Sequence, residues 1–540
     1  MYKYFLVIVA VCGVWAQGEV DTLKAVADSS EVFTPDPEKI AQDRIKMMRA
    51  FILPDTSGEE SLSAYPLSLD EAIQRLIEHN KEVQRAKLEY LIGEKRFLAA
   101  FGIFEPYLSG TYEYSESERP DAVLIEMRET MRGGIEGVLP TGTRYGFHVT
   151  QKDIRFAQST LEWPTVSSTV SVTQPILKDF LGNGPLTQIK VARAERQIAF
   201  NRFRSTLMAQ CYALENTYWK LVYLQEKRRN AEKSVAVANQ IVNDSRTLVA
   251  SGIMSKLDAV EVSSEQAQRQ MALSGIKIEH AGVIAELKQM IGYDQDPSLT
   301  HLKAVTPLLV NNEQLLIDTL PADFDSLLSL YQPELLTAEF TRIRSRIAVS
   351  QQVGKSLPEL NLTGIVGVSG SNKEINQAVS QFYDSERNKR NWACAVEFKV
   401  PLGSGLSERN LLKAEKLNEK IAKLEEASLK REITAQTALT LERVHDLSRN
   451  LSSASVVVDY RTSLLQSEMV RLRAGLSSVR TIFEVEQELT KARESELEMR
   501  VQYQMTLSLY DRILGTTLSR RGLERTVNGK PVLVDELLRE

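Results

Sequence analysis

Two hydrophobic periods alternate along this chain, and the alternation happens twice. Ala72, Leu76, Val83, Ala86 and Tyr90 recur at helical spacing. They follow Ser68-Leu69-Asp70-Glu71, in which Ser68 fits an N-cap with Glu71 three residues later. This helix is expected to end near Gly102, and Pro106 marks the change to extended chain. Leu108, Gly110, Tyr112 and Tyr114 then alternate with Ser109, Thr111 and Glu113, the period of a strand. Val170, Val172 and Gln174 alternate with Thr169, Ser171 and Thr173 before Pro175. In the second half, Leu362, Gly364, Val366 and Val368 lead out, and Cys394, Val396, Phe398 and Val400 return before Pro401. Each of these four segments is about ten residues long, the length of a tilted membrane-spanning strand. A further hairpin candidate lies between the first two: Ile135, Gly137 and Leu139, a Pro140-Thr141-Gly142 turn, then Tyr145, Phe147 and Val149. The sequence allows this hairpin either to add strands to the sheet or to loop outside it. The polar stretch 370–390 reads as an outer loop.

After each returning strand comes a Gly-rich turn (Gly182-Asn183-Gly184-Pro185 and Gly403-Ser404-Gly405) and a very long helical pattern. Leu207, Leu214 and Leu221 recur every seven residues, continued by Val235, Ala238 and Val242; Val444, Leu447, Leu451, Ala454 and Val458 repeat the three-and-four spacing of a coiled coil. Leu186 to Val249 and Ser407 to Leu472 contain neither Pro nor Gly, so each helix would reach about 95–100 Å. A helix of that length needs neighbours along its whole course. Gly252 and Gly475 stop the two helices, and a second helix runs back to Gly292 and Gly515.

The halves are related in register. A shift of 252 places Leu76, Glu82, Ala86, Gly102, Pro106 and Leu108 on Leu328, Glu334, Ala338, Gly354, Pro358 and Leu360. A shift of 223 places Ala199, Thr217, Leu224, Gly252, Ser255, Glu261 and Gly292 on Ala422, Thr440, Leu447, Gly475, Ser478, Glu484 and Gly515. The first copy is therefore longer by 29 residues, and all of them lie in its β centre. The expected organisation is a signal peptide at 1–16, a polar extension at 17–66 with one short helix at 38–51, a first repeat at 67–295, a linker at 296–320, a second repeat at 321–516 and a tail at 517–540.

Composition narrows the function. A quarter of the residues are charged, aromatics make up 7%, and the net charge is −5 with both signs interspersed, which gives no basic surface for nucleic acid. Five histidines speak against a His-based metal centre, and no nucleophile elbow, phosphate loop or ligand cluster marks an enzyme or calls for a cofactor. Lys3, the apolar run Phe5 to Val14 and Val14-Trp15-Ala16 have the form of an export signal. Cys12 is a candidate for lipid attachment, although Val11 before it fits that pattern poorly. Cys211 and Cys394 are expected to be unpaired, buried thiols. No other segment has 18 uninterrupted apolar residues.

These features together resemble the outer-membrane factor family, the TolC-like channel-tunnels, over roughly residues 67–516. They are the duplicated helix–hairpin–helix unit, the strand ends Thr173-Gln174-Pro175-Ile176-Leu177 and Lys399-Val400-Pro401-Leu402, and the tips Ser251-Gly252-Ile253-Met254-Ser255 and Ala474-Gly475-Leu476-Ser477. The resemblance implies a mixed α/β membrane protein. Three protomers would each give four strands to a shared 12-stranded outer-membrane β-barrel, continued by a coiled-coil α-helical tunnel through the periplasm. It implies passive conduction for efflux or type I secretion, with a periplasmic adaptor (membrane fusion protein), an inner-membrane transporter and outer-membrane lipid as partners. By the same resemblance the adaptor-docking tips are Ser251, Gly252, Ile253 and Ser255, and Ala474, Gly475, Leu476 and Ser477. Periplasmic gate candidates are Asp258, Glu261, Leu472 and Glu484; three like carboxylates in a ring would favour cations. The chain departs from the best-known members at Leu472, Ser477 and Thr481, where they carry Tyr, Arg and Asp. The alternative from another class is a soluble periplasmic coiled-coil or adaptor protein, which leaves the duplication unexplained.

Overall fold

The structure, a computed structural model, describes residues 65–534 apart from 120–123, 157–163, 179, 181–183, 251–254, 294–301, 307–323, 373, 385–388, 401–404, 474–475 and 528–529. The expected signal at 1–16, Cys12, the short helix at 38–51 and most of the 17–66 extension lie outside the described residues.

In chain order the first repeat contains β1 (Tyr65–Leu67), α1 (Leu69–His79), α2 (Lys81–Ala99), four strands β2 (Tyr107–Arg119), β3 (Leu124–Val138), β4 (Arg144–Phe156) and β5 (Thr165–Pro175), then α3 (Pro185–Ala250) and α4 (Lys256–Met290). A short strand β6 (Leu302–Ala304) follows and pairs in parallel with β1. The second repeat contains α5 (Phe324–Tyr331), α6 (Pro333–Lys355), β7 (Glu359–Ser371), α7 (Ile375–Tyr383), β8 (Lys389–Lys399), α8 (Leu406–Arg473) and α9 (Val479–Leu514). The chain closes with α10 (Thr517–Arg520) and the hairpin β9 (Glu524–Val527) and β10 (Lys530–Leu533).

The long helices span 66 and 68 residues, as the absence of Pro and Gly predicts. Leu207, Leu214 and Leu221, the heptad positions of α3, are fully buried. They join Leu76, Val83, Tyr218 and Leu287 in the largest core, which α1 to α4 share with Leu518 and Leu533 of the C-terminal segment.

One helix was expected to run from Ser68 to Gly102, and two are found, broken at Asn80. Ser68 does cap α1, accepting a hydrogen bond from the Glu71 amide. The break repeats in the second half, where Gln332 separates α5 from α6. Asn80 and Gln332 are related by the 252-residue shift and do the same two things. The Asn80 side chain accepts from the Glu82 amide at 2.9 Å and donates to the Met290 carbonyl at 3.2 Å. Gln332 accepts from the Glu334 amide at 3.1 Å and donates to the Ile513 carbonyl at 2.9 Å. Met290 and Ile513 are related by the other shift, 223. One amide thus caps a helix and ties its start to the end of the returning helix. The next residues but one, Gly292 and Gly515, take φ of 77° and 78°. There the chain passes so close to His79 and Tyr331 that a Cβ would lie 2.5 Å from either neighbour. Both the sign of φ and the contact require glycine.

The sheet differs from expectation in strand number. Among the described residues it has six strands in the order β2-β3-β4-β5-β7-β8, every neighbour antiparallel, where the resemblance implied four per chain. The hairpin around Pro140-Thr141-Gly142 supplies the extra pair, β3 and β4, inserted between β2 and β5. The strands run to 11–15 residues instead of about ten. The expected outer loop at 370–390 contains α7, whose Ala378 and Phe382 backbone packs over Gly370.

Candidate functional site

The register of the sheet sorts its side chains by face. Leu108, Ile135, Phe147, Val170, Val366 and Trp392 form one continuous rung across all six strands. The adjacent rung on the opposite face reads Ser109, Gly134, His148, Thr169, Gly367 and Asn391. A sheet folded for water would bury the first rung. Here it is the exposed one, with Leu108 83%, Val366 63% and Trp392 81% accessible, while His148 on the polar face is 4% accessible. On β7 the apolar face runs from Leu360 to Gly370. At about 3.4 Å per residue and about 40° of tilt this covers about 26 Å of height, close to the apolar band of an outer-membrane barrel. Within this band the same face carries one charge, Arg390 at the β8 edge, level with Val368; its other charges begin beyond the band, at Glu116, Glu129 and Asp153.

The polar face carries paired charges. Glu136 accepts from the Tyr107 hydroxyl at 3.1 Å and the Ser109 hydroxyl at 3.2 Å, and His148 Nε2 lies 3.5 Å from it. Glu126, buried, accepts from Arg128 at 2.8 Å. On the opposite, apolar face, at its end beside the β3–β4 turn, Thr143 donates to Gln174 at 2.5 Å. An apolar outside and a hydrogen-bonded polar inside is the alternation of a lumen wall.

Cys394 corrects the expectation of two buried thiols. Cys211 is buried in the α3 core, and burial pushes its thiol up to about 12. Cys394 is exposed, because it lies on the apolar face of β8, level with Gly364. In membranes, Cys394 is expected to react with a lipid-soluble maleimide and to resist a sulfonated, water-soluble one, whereas Cys211 reacts with neither until the protein is denatured. Intact mass after labelling checks this, and equal labelling of Cys394 by both reagents would place that face in water.

At the far ends of the helical hairpins, Ser251, Gly252, Ile253, Ala474 and Gly475 lie outside the described residues, and of Leu472 only the backbone, within α8, is described. Ser255 caps α4, accepting from the Leu257 amide, and Ser478 caps α9 equivalently, accepting from the Thr481 amide. Leu476 is exposed, and Ser477 donates to Glu468 at 2.8 Å, which also pairs with Arg471. Asp258, in the first turn of α4, Glu261 and Glu484 are all exposed. Glu484 pairs with Arg480 one turn away. Within one chain these three carboxylates form no common cluster, and among the described residues no group of three or more His, Cys, Asp or Glu could hold a metal ion.

What the structure brings together near the tips is a node that the sequence reading missed. The Arg269 guanidinium of α4 pairs with Glu486 of α9, donates to Ser234 of α3 at 2.6 Å and to Glu265 at 3.2 Å, and lies 5.0 Å from the Phe483 ring centroid. Ala238, Ile241, Val242, Val262, Ile482 and Phe483 form the apolar core beside it. The node therefore clamps the first hairpin to the second. Its sequence signal was a charge on an apolar stripe, with Glu486 between Phe483 and Leu489, both buried. Arg269→Ala is expected to cost about 3 kcal/mol of local stability by leaving Glu486 buried and unpaired. Amide exchange should accelerate in α4 and α9 near the tips and stay unchanged at the Asn80 and Gln332 joints.

No helix of the described residues is long and apolar enough to cross a membrane, which leaves β-strands untouched as an argument. No family model and no curated protein matches the sequence. Solved structures do match. The CmeC outer membrane channel of Campylobacter jejuni superimposes with a TM-score of 0.60 at 13% identity, over 83% of this chain and 86% of that one. The outer membrane protein VceC of Vibrio cholerae gives 0.59 at 13%, over 83% and 96%. The open state of the MtrE outer membrane channel of Neisseria gonorrhoeae gives 0.60 at 14%, over 83% and 89%.

Proposed function

We infer that this chain, which has the fold of the TolC-like outer-membrane factors, is an outer-membrane duct that conducts solutes passively from the periplasmic side. The apolar, exposed rung from Leu108 to Trp392 carries this reading. It supports a lipid-facing wall and has no use in a soluble coiled-coil protein, the alternative reading. The known folds it matches are channels, in keeping with a role other than catalysis. The long helices continue the wall as a periplasmic tunnel in a homotrimer. One chain leaves Leu417, Ile421, Leu424, Leu439 and Tyr460 of α8 exposed, and neighbouring copies would cover them.

An inner-membrane transporter and a periplasmic adaptor would meet the tips around Gly252 and Gly475, in a tripartite efflux or type I secretion assembly. Asp258, Glu261 and Glu484, exposed near those tips, would come together only as rings between copies, where they would favour cations. The deciding experiment is the detergent-corrected mass of the mature protein together with its recovery in the outer-membrane fraction. A trimer recovered there supports the duct; a soluble monomer or dimer overturns it.

A further inference from the structure

The six-stranded sheet ends in two open edges. β2 and β8, of 13 and 11 residues, each have a strand on one side only among the described residues. Edges that face water are guarded by prolines, bulges or inward charges. Neither strand contains a proline, and the middle of β8, Trp392-Ala393-Cys394-Ala395-Val396, carries no charge. An unpaired edge of that kind is excluded from lipid, where every backbone amide must be satisfied.

We propose that the two edges pair with each other between copies, β8 of one copy against β2 of the next, so that each copy gives six strands to the wall. On the homotrimeric duct proposed above, on which this rests, the barrel has eighteen strands. Three observations carry it. The six strands alternate in direction, so β2 and β8 run opposite ways, and the seam between copies is antiparallel like every ladder within the sheet. The outward residues of the edges, Leu108 and Tyr112 on β2 and Trp392 and Val396 on β8, lie on the same apolar face, so the lipid-facing band continues across the seam. Finally, β3 and β4 are built as wall strands. β3 is hydrogen-bonded to β2 along all of Tyr107–Arg119, and β4 to β5 from Arg144 to Lys152. Their residues sort by face like the rest, Met131 and Phe147 outward, Glu136 and His148 inward. Looping them out of the wall would strip β2 and β5 of their partners.

The consequence is a wider lumen. Barrel diameter grows roughly linearly with strand number, so eighteen strands give about 1.5 times the diameter of a 12-stranded wall and about 2.2 times its cross-section. Solutes too large for the narrower barrel would pass.

The test uses the full-length protein in its membrane. Leu108→Cys, Gly110→Cys, Tyr112→Cys and Tyr114→Cys are made singly, each to be oxidised against the native Cys394 of a neighbouring copy, Cys211 being buried. The expected result is a reducible covalent trimer on a denaturing gel from at least one of the four. It should be lost when Cys394→Ala is added and absent for Ser109→Cys and Thr111→Cys on the opposite face. Electron microscopy of the extracted particle should then resolve eighteen strands. An outer-membrane trimer with twelve strands, or one in which none of the four positions cross-links, overturns this inference and leaves the duct standing. A soluble monomer overturns both.

Discussion

Replacing Val366 with arginine should remove most of the assembled protein from the outer membrane. Val366 sits within the apolar rung, flanked by Val170 on β5 and Trp392 on β8, and its side chain is exposed in the single chain; in the proposed duct its medium is lipid. A charged residue on the lipid face near the bilayer midplane costs about 2–4 kcal/mol in an outer-membrane barrel. Every copy carries the change, so the penalty is incurred at each wall segment. At about 1.4 kcal/mol per factor of ten, each copy loses about thirty-fold to several hundred-fold in its insertion equilibrium.

The control separates position from charge. Thr169→Arg puts the same side chain on the adjacent rung, where its neighbours across the ladders are His148 and Gly367 on the polar face. It should assemble and alter only conduction. The readout is the fraction of protein that sediments with the outer membrane and migrates as an oligomer in mild detergent. Equal recovery of Val366→Arg and Thr169→Arg would mean that the two faces do not see different solvents, and the lipid-facing assignment would fall.

The same rung explains which parts of the fold could be read from the sequence. The strands around Leu108, Val170, Val366 and Val396 alternate cleanly, apolar on one face and mostly polar on the other, as the proposed duct requires of a wall between lipid and a polar interior. β3 was only half legible, since Glu126, Arg128, Glu129 and Arg132 put charges on both faces of its outer half and blur the period. Only its inner end, Ile135 to Leu139, read as strand. Cys394 misled for a related reason. Its apolar neighbours suggested burial, and in a membrane sheet the apolar face is the outer one. The helix breaks at Asn80 and Gln332 were hidden because apolar spacing runs through them; Leu76 and Val83 stay buried on either side. What breaks the helix is a side-chain amide whose partner, Met290, lies 210 residues away. Contacts between the two hairpins were invisible for the same reason, as Arg269 and Glu486 are 217 residues apart. The tip and gate positions rest on the resemblance, and a solvated acid on a helix, such as Glu261, looks the same whether or not it lines a pore.

Arg204→Met should destabilise the helical part of the protein more than any other single change to an ion pair in it. Arg204 of α3 and Glu524 of the C-terminal hairpin form the most deeply buried salt bridge described, 2.7 Å long with side chains 0% and 1% accessible. Arg204 also donates to the Tyr331 carbonyl at 3.1 Å and to Asn201 at 3.3 Å, so it ties the C-terminal hairpin to the joint at Gln332. Arg520 with Asp511 and Arg521 with Glu215 fasten the same segment. Removing one partner of a buried pair costs about 3–5 kcal/mol, because the other charge is left without compensation.

The pH dependence of that cost has a definite sign. Burial raises the Glu524 carboxyl above its ordinary value, and Arg204 pulls it part of the way back. In Arg204→Met the restraint is gone, and the folded carboxyl rises further. Between the ordinary carboxylate range and that raised value the folded protein holds a proton that the unfolded chain does not, so stability falls as pH rises across this window. The deficit of Arg204→Met relative to wild type should be largest at neutral pH and shrink on acidification, as Glu524 takes up a proton. Glu524→Gln leaves the opposite orphan, a guanidinium that cannot discharge, so acid should bring it no such recovery. The double variant Arg204→Met with Glu524→Leu replaces both charges by apolar groups and should regain most of the loss at every pH. Thermal unfolding of the detergent-extracted protein between neutral and mildly acidic pH distinguishes the three. A pH-independent deficit in Arg204→Met would mean that Glu524 is solvated in solution, and that the C-terminal hairpin is held to α3 by Leu518 and Leu533 in the core instead of by its charges.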